Sequence, residues 1–269
     1  MTLFREAVEQ IVFGKSLKDK LSTLPAFEKI QKPLILPLLP ARENQIQFSS
    51  KQQKFPKKDK FANEIYRGMA LHFFANHELL AIEMMATALL IYPEETTQDI
   101  FFKKGILASL RDEQNHLAIY LKRMKDFGIE LGDYPLNDFF WKYMPSLKTT
   151  ENFTALVCLT FESANLDFSL YYKKIFEGIE DYTSAQVMQQ IYQDEISHVA
   201  FGRSYLNQKK IDQSLWDYYR SLLPPPSTPA RARGTEFSVE SRYQCGLDED
   251  YVQKLKDYQD DYLITKRRK

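Results

Sequence analysis

Arg111-Asp112-Glu113-Gln114-Asn115-His116 returns later in the chain as Gln193-Asp194-Glu195-Ile196-Ser197-His198, so Asp-Glu-x-x-His occurs twice. Both copies lie in long segments with helical periodicity. Positions i and i+3 share one face of a helix, so each copy aims a carboxylate and an imidazole the same way. Two such helices facing each other would converge four metal-binding side chains on one point. Two further ligands, on two further helices, would complete a buried centre.

Glu78 and Glu162 are those candidates. His77-Glu78-Leu79-Leu80-Ala81-Ile82-Glu83 can be laid on Phe161-Glu162-Ser163-Ala164-Asn165-Leu166-Asp167, each preceding its Asp-Glu-x-x-His by nearly the same separation. Each half is thus a helix with one central glutamate followed by a helix with Glu-x-x-His. The first stripe is Leu71, Phe74, Ala75, Glu78, Ala81, Ile82, Met85 and Leu89; the third is Ala155, Cys158, Leu159, Glu162, Asn165, Leu166 and Leu170. A glutamate inside an apolar stripe needs a partner, because glutamate is rarely fully buried alone. Related by a pseudo-two-fold, the halves give four carboxylates and two imidazoles in a bundle core, the ligand set of di-iron and di-manganese carboxylate proteins.

The residue types suit that chemistry. Divalent iron or manganese accepts mixed oxygen and nitrogen ligands, and four carboxylates neutralise two divalent cations. The expected ligands are Glu78, Glu113, His116, Glu162, Glu195 and His198. Asp112 and Asp194, at i−4 to the histidines, could accept a hydrogen bond from a ligand imidazole and fix its tautomer. Glu83 is the rival to Glu78; five residues make about 140° on a helix, so both cannot point inward. Symmetry with Glu162 favours Glu78, leaving Glu83 behind the ligands or as a structural partner, for instance of an arginine. His72 and His77 read as packing residues rather than ligands, as do Tyr120 and Tyr192.

Around these stripes the chain divides into 1–61, a helix and an extended segment; 62–208, the di-metal bundle; and 209–269, a helical and irregular extension packed on it. A short helix is expected around Leu3, Ala7, Ile11 and Leu17. Pro33, Pro37, Pro40 and Pro56 forbid long helices before Phe61. The run Leu34-Ile35-Leu36-Pro37-Leu38-Leu39 reads as packed down on a neighbouring surface. Helices are expected over 63–92, from Thr96 or Thr97 to about Phe127 with Gly128 at its C-terminus, over 151–176, and from Thr183, where Thr183 and Gln186 form a capping box. The aromatic-rich stretch between Gly128 and Thr150 fits the one long crossover of a ferritin-like bundle. A shorter helix spans Ile211 to Leu223, Ser227 to Gly246 is irregular, and a last helix starts near Leu247 with Asp248, Glu249 and Asp250 complementing its dipole.

The composition excludes several classes. With Lys+Arg and Asp+Glu at 36 each, the balanced charge offers no nucleic-acid footprint, and the basic runs Lys51–Lys60 and Lys266–Lys269 read as solvated surface. Two cysteines, Cys158 and Cys245, give neither a disulfide framework nor a metal-type spacing. No signal peptide and no run of about 18 apolar residues is present, so a cytoplasmic protein with no membrane partner is expected.

On His77–Glu83, Arg111–His116, Phe161–Asp167 and Asp194–His198, the sequence resembles the ferritin-like superfamily over about residues 60–210. It is most similar to a bacterial family catalogued only as a domain of unknown function, distantly similar to the MiaE-type tRNA hydroxylases. The resemblance implies an all-α, ferritin-like four-helix bundle with one long crossover and terminal extensions. It also implies two iron ions, or manganese, on the six ligands above. The expected activity is an O₂-dependent di-iron oxygenase or oxidase (a hydroxylase-type oxidoreductase) acting on a small organic substrate or modified nucleoside. No Gly-x-Gly-x-x-Gly fingerprint occurs, so an external electron donor would be required. Zero net charge argues mildly against tRNA as the partner. Arg231 and Arg233 are candidate contacts to an anionic group. Ferroxidase or iron handling, and a metal-free structural or partner-binding bundle, are the alternatives.

Overall fold

The structure, a computed structural model, describes residues 3–30, 32–51 and 53–260. The basic run at 266–269 lies outside the described residues. Among those described there are ten α-helices and no β-strand, so the fold is all-α. Chain contacts define two compact units, Met1–Ser146 with Ile175–Val187, and Leu147–Lys174 with Met188–Lys269.

The first unit is built on the pair α3 (Glu64–Ile91) and α4 (Thr97–Lys125). Asn63 caps α3 by accepting from the Ile65 N–H, and Pro93 follows its end. Thr96, not Thr97, caps α4, in a reciprocal capping box with Asp99. Gly128 adopts φ 67° just beyond α4, letting the Ile129 N–H return to the Met124 carbonyl. The most apolar window of α3 is long enough to cross a membrane, and 83% of it is buried within the fold.

The N-terminal helix divides in two at Gly14. α1 (Phe4–Phe13) packs on α3, and α2 (Leu17–Lys20) starts from a capping box between Ser16 and Asp19. Hydrogen bonds from Gln10 and Ser16 hold the Asp19 carboxyl down at about 2. The segment after α2 is extended, as the prolines require. Its apolar run is packed down only in part: Leu34, Leu36 and Pro37 are half-buried, whereas Ile35 and Leu38 are each 92% exposed. The main chain is anchored there through Leu34 N–H to the Leu90 carbonyl and the Trp141 indole to the Leu38 carbonyl. The aromatic stretch after α4 lies on this same unit, through a parallel bridge between Phe48 and Leu136 and a 3₁₀ turn at Trp141–Ser146.

In the second unit α5 (Thr150–Leu156) runs into a π turn, Val157–Phe161, which ends where α6 (Glu162–Gly178) begins. One continuous α-helix was the expectation. The inserted residue rotates everything after it by about 100° relative to α5, and so sets the direction of Glu162. The Thr160 hydroxyl bonds the Ala155 carbonyl and the Tyr219 hydroxyl across the turn. On α7 (Tyr182–Lys209), Gly202 allows close approach, since a Cβ there would lie 2.5 Å from that of Cys158.

α7 starts two residues earlier than expected. Its cap is Asp181, which accepts from the Ser184 N–H and hydroxyl, rather than Thr183. Asp181 also pairs with Arg123 at 2.8 Å and Arg67 at 3.4 Å, all within the first unit. α8 (Leu215–Leu222) begins at its cap Ser214 instead of Ile211. The stretch expected to be irregular holds a 3₁₀ turn, Pro229–Ala232, and α9 (Val239–Gln244). α10 (Glu249–Asp257) is capped by Asp248, and Trp216, Tyr219 and Tyr251 form the aromatic contact between α8 and α10.

Candidate metal centre

In the first unit, α3 and α4 bring Glu78, Glu113 and His116 together. One ligand atom from each lies within 4.8 Å of the others, and all three side chains are buried. His116 Nδ1 is 3.6 Å from Glu113 Oε2, the i,i+3 relation expected of Glu-x-x-His. One helical turn away on the same faces, Phe74 packs on Tyr120 at 5.9 Å, so Tyr120 has a packing role.

In the second unit, α6 and α7 bring Glu162, Glu195 and His198 within the same 4.8 Å, again buried. His198 Nδ1 is 3.2 Å from Glu195 Oε2. The amide of Asn165 donates to Glu162 Oε2 at 3.2 Å and to Glu195 Oε1 at 3.1 Å. Each trio thus holds two carboxylates and one imidazole away from water. Two ionised carboxylates so close in a dry site demand a cation or protons between them. A divalent ion matches the two negative charges, and the oxygen and nitrogen donors suit iron, manganese or zinc better than a soft metal. These groups can hold a metal ion.

The other residues singled out in the sequence have distinct surroundings. Glu83 is fully buried and bound in a fork by Arg42, at 2.6 and 3.0 Å, with Lys20 3.1 Å away. Lys20 spends its remaining protons on the Ile11 and Ala41 carbonyls; burial pushes its pKa down against the pull of Glu83. Asp112 is half-buried, and so is Asp194, whose Oδ2 accepts from Gln190. His72 accepts the Gly132 N–H at Nε2, and His77 packs between Phe73 and Phe140. Burial holds both imidazoles down at about 4, so both are neutral at physiological pH. Tyr192 bonds Ser241 and Gln244 through its hydroxyl. Arg233 donates to the Lys256 and Tyr258 carbonyls.

The family model described as "Protein of unknown function (DUF455)" matches residues 2–253. The chain belongs to that family. No curated protein and no solved structure matches the chain. The DUF455 match takes in both trios as well as the segments before and after them, so the family is defined by more than the four core helices.

Those flanking segments carry the partners of core residues that sequence reasoning missed. Asp167, which aligns with Glu83, receives both arms of Arg242 and the N–H groups of Gly234 and Ser238, each N–H at 2.8 Å. Arg242 also donates to the Ser163 and Ala232 carbonyls. In the stretch Arg111–His116, Arg111 binds the Leu24 and Pro25 carbonyls and Gln114 those of Lys20 and Ser22. The one usable signal was the position of Glu83 and Asp167, five residues after each central glutamate. Nothing local announced which distant arginine each would meet.

Proposed function

We propose that this DUF455 chain is a ferritin-like, non-haem di-iron carboxylate protein acting as an O₂-dependent oxygenase or oxidase. Its substrate would be a small organic molecule or a modified nucleoside. Glu78, Glu113 and His116 would hold one ion, and Glu162, Glu195 and His198 the other. The observation that carries this reading is a buried glutamate beside a buried Glu-x-x-His, with ligand atoms within 4.8 Å, formed twice in one chain. A single trio could be chance; a repeated one, placed on matching sequence phrases, is the donor set of a two-metal carboxylate protein.

Two ferrous ions would supply the electrons for reducing O₂, and manganese is the alternative metal. The protein's own part is to supply four carboxylates whose charge balances two divalent ions, so that burial of the site is tolerable. As metal ligands, His116 and His198 would be neutral imidazoles and would add nitrogen donors without adding charge. The electrons for repeated turnover would come from a separate protein.

Anaerobic loading with ferrous iron and metal analysis tests this. The expected result is two iron ions per chain, about one in His116→Ala or His198→Ala, and an O₂-dependent change in the visible spectrum of the wild type. A chain that retains no metal, or whose metal content is the same in both variants as in wild type, would overturn the reading.

A further inference from the structure

The loop Lys51–Lys60 carries five lysines against one acid, Asp59, so a chain of zero net charge concentrates a local charge of +4 on ten residues. The loop is fastened at both ends and in its middle. Before it, Phe48 bridges Leu136, and the Ser49 N–H donates to the Leu136 carbonyl at 2.9 Å. At its end, a 3₁₀ turn over Lys58–Lys60 leads to Asn63, the cap of α3. In between, Pro56 is buried, and Phe55 packs on Phe61, Phe73 and Phe74 with ring centroids 6.3, 5.1 and 5.5 Å away. Lys51, Lys54, Lys57 and Lys60 are exposed, and among the described residues none of the four pairs with an acid. Like charges so placed repel one another, and an acidic partner relieves that repulsion. The packing beneath the lysines also points to the site. Phe74 meets Tyr120 at 5.9 Å, and these two rings lie one helical turn from Glu78 and His116. Ring contacts thus lead from the basic loop to within one turn of the first trio.

We propose that the loop Lys51–Lys60 is the docking surface for an acidic electron-donor protein. This rests on the two-metal reading above, in which electrons come from a separate protein. Redox encounters are small, burying less than about 1,200 Å², and charge complementarity rather than area brings the right partner to the right face. Lysine suits such an encounter, because its compact, hydrated ammonium attracts carboxylates without the rigid two-pronged grip of arginine. A single-stranded nucleic acid would use the same charge, but it also needs rings on which its bases stack. The two rings of this region are taken up by packing: Phe55 lies against three others, and Phe61 is buried against Phe176 at 5.7 Å. The loop therefore offers charge without a stacking platform, which favours a protein.

The test measures association rates of the iron-loaded full-length protein with an acidic [2Fe–2S] ferredoxin, and separately with an acidic flavodoxin, at low and at physiological salt. Wild type is expected to bind at least one of them, with an association rate that falls steeply as salt rises. Lys51→Glu, Lys54→Glu, Lys57→Glu and Lys60→Glu combined should slow association at low salt by about 10–10³-fold. Iron content and melting temperature should stay those of wild type, since the four side chains are exposed. Arginine restores the charge, so Lys51→Arg, Lys54→Arg, Lys57→Arg and Lys60→Arg combined should associate within about threefold of wild type. Lys15→Glu, Lys18→Glu, Lys29→Glu and Lys104→Glu combined make the same change in net charge elsewhere on the first unit, and should slow association far less. Equal slowing by the two glutamate sets would mean that net charge, not this loop, does the steering, and overturns the proposal. So does a wild type that binds neither donor protein, or one that binds a mixed-sequence single-stranded RNA more tightly than either. Failure of the two-metal reading shows separately, as a wild type that takes up no metal, and removes the donor role with it.

Discussion

The helices α3 and α6 solve one problem with different parts. Each carries a candidate metal-ligating glutamate, Glu78 or Glu162, and five residues later a second buried carboxylate, Glu83 or Asp167. Each second carboxylate anchors an arm of chain through an arginine, Arg42 from before α3 or Arg242 from near the C-terminus. Each guanidinium also lies over a phenylalanine of its own arm, Phe48 at 4.0 Å and Phe237 at 4.3 Å. The parts differ in charge. Glu83 faces two cations, whereas Asp167 faces one cation and two main-chain N–H groups. Five residues rotate a helix by about 140°, so one helix can serve the centre with one carboxylate and the flanking arm with the other. The repeat therefore encodes two roles per helix, a candidate ligand and an anchor.

The largest expected effect breaks this comparison at the anchors. Arg242→Met leaves Asp167 buried without a cation, a change that typically costs about 3–5 kcal/mol. Arg42→Met leaves Glu83 still paired with Lys20, so the loss should be closer to that of hydrogen bonds to a charged group, about 1.5–3 kcal/mol. Urea unfolding of both variants checks the order. If Arg42→Met costs as much as Arg242→Met, Lys20 is not sustaining Glu83, and the two anchors are equivalent after all.

Next in size is a difference in acid response. His72, in the first unit, is buried and accepts the Gly132 N–H at the nitrogen that a proton would occupy. Its pKa is about 4 when folded, against an ordinary value of 6.5. The unfolded chain therefore binds the extra proton first as pH falls. The stability involved is fully present above pH 6.5 and drains away between about 6.5 and 4. The shift corresponds to roughly 3 kcal/mol at most. His72→Phe should flatten that part of the curve, measured as urea midpoints at pH 7 and pH 4.5. An unchanged difference between the two midpoints would remove His72 from the account.

A smaller effect belongs to the second unit, because α3 is regular where the α5–α6 path carries a π turn. Thr160→Val removes the hydroxyl bridging the Ala155 carbonyl and the Tyr219 hydroxyl. A loss of about 1–2 kcal/mol is expected for leaving such a buried group short of a partner, with Tyr219→Phe partly restoring the double variant. If the two losses simply add, the hydroxyls do not act together across the turn.

These contrasts also mark what was legible in the sequence. Apolar stripes interrupted by Glu78, Glu113, Glu162 and Glu195 revealed the core helices and both trios, because helical periodicity and the cost of burying glutamate are local properties. Thr96, Asn63 and Gly128 marked helix ends for the same reason. What stayed hidden was decided by distant partners. Asp181 outcompetes Thr183 as the cap of α7 because Arg67 and Arg123 bind it from elsewhere in its unit. The π turn has no period of its own over five residues, and Asn165 looked like any polar residue on a stripe. Its contacts became visible only where its amide meets Glu195, thirty residues away in the chain.

The smallest expected effect concerns the one stretch where hydrophobicity pointed the wrong way. Ile35 and Leu38 were expected to pack down, and each is 92% exposed. Burial stabilises in proportion to the apolar area removed from water, and these side chains remove almost none. Three main-chain bonds hold the stretch: the Leu34 N–H on the Leu90 carbonyl, the Leu38 carbonyl on the Trp141 indole, and the Ala41 N–H on the Val12 carbonyl. Ile35→Ser and Leu38→Ser leave all three bonds intact, so each should change unfolding free energy by no more than about 0.5 kcal/mol. Trp141→Phe cuts one of them and should cost more than both serine variants together. A loss above about 1 kcal/mol in either serine variant would mean that the side chains are covered in solution, and that the first unit is anchored by its apolar arm as well as by Glu83.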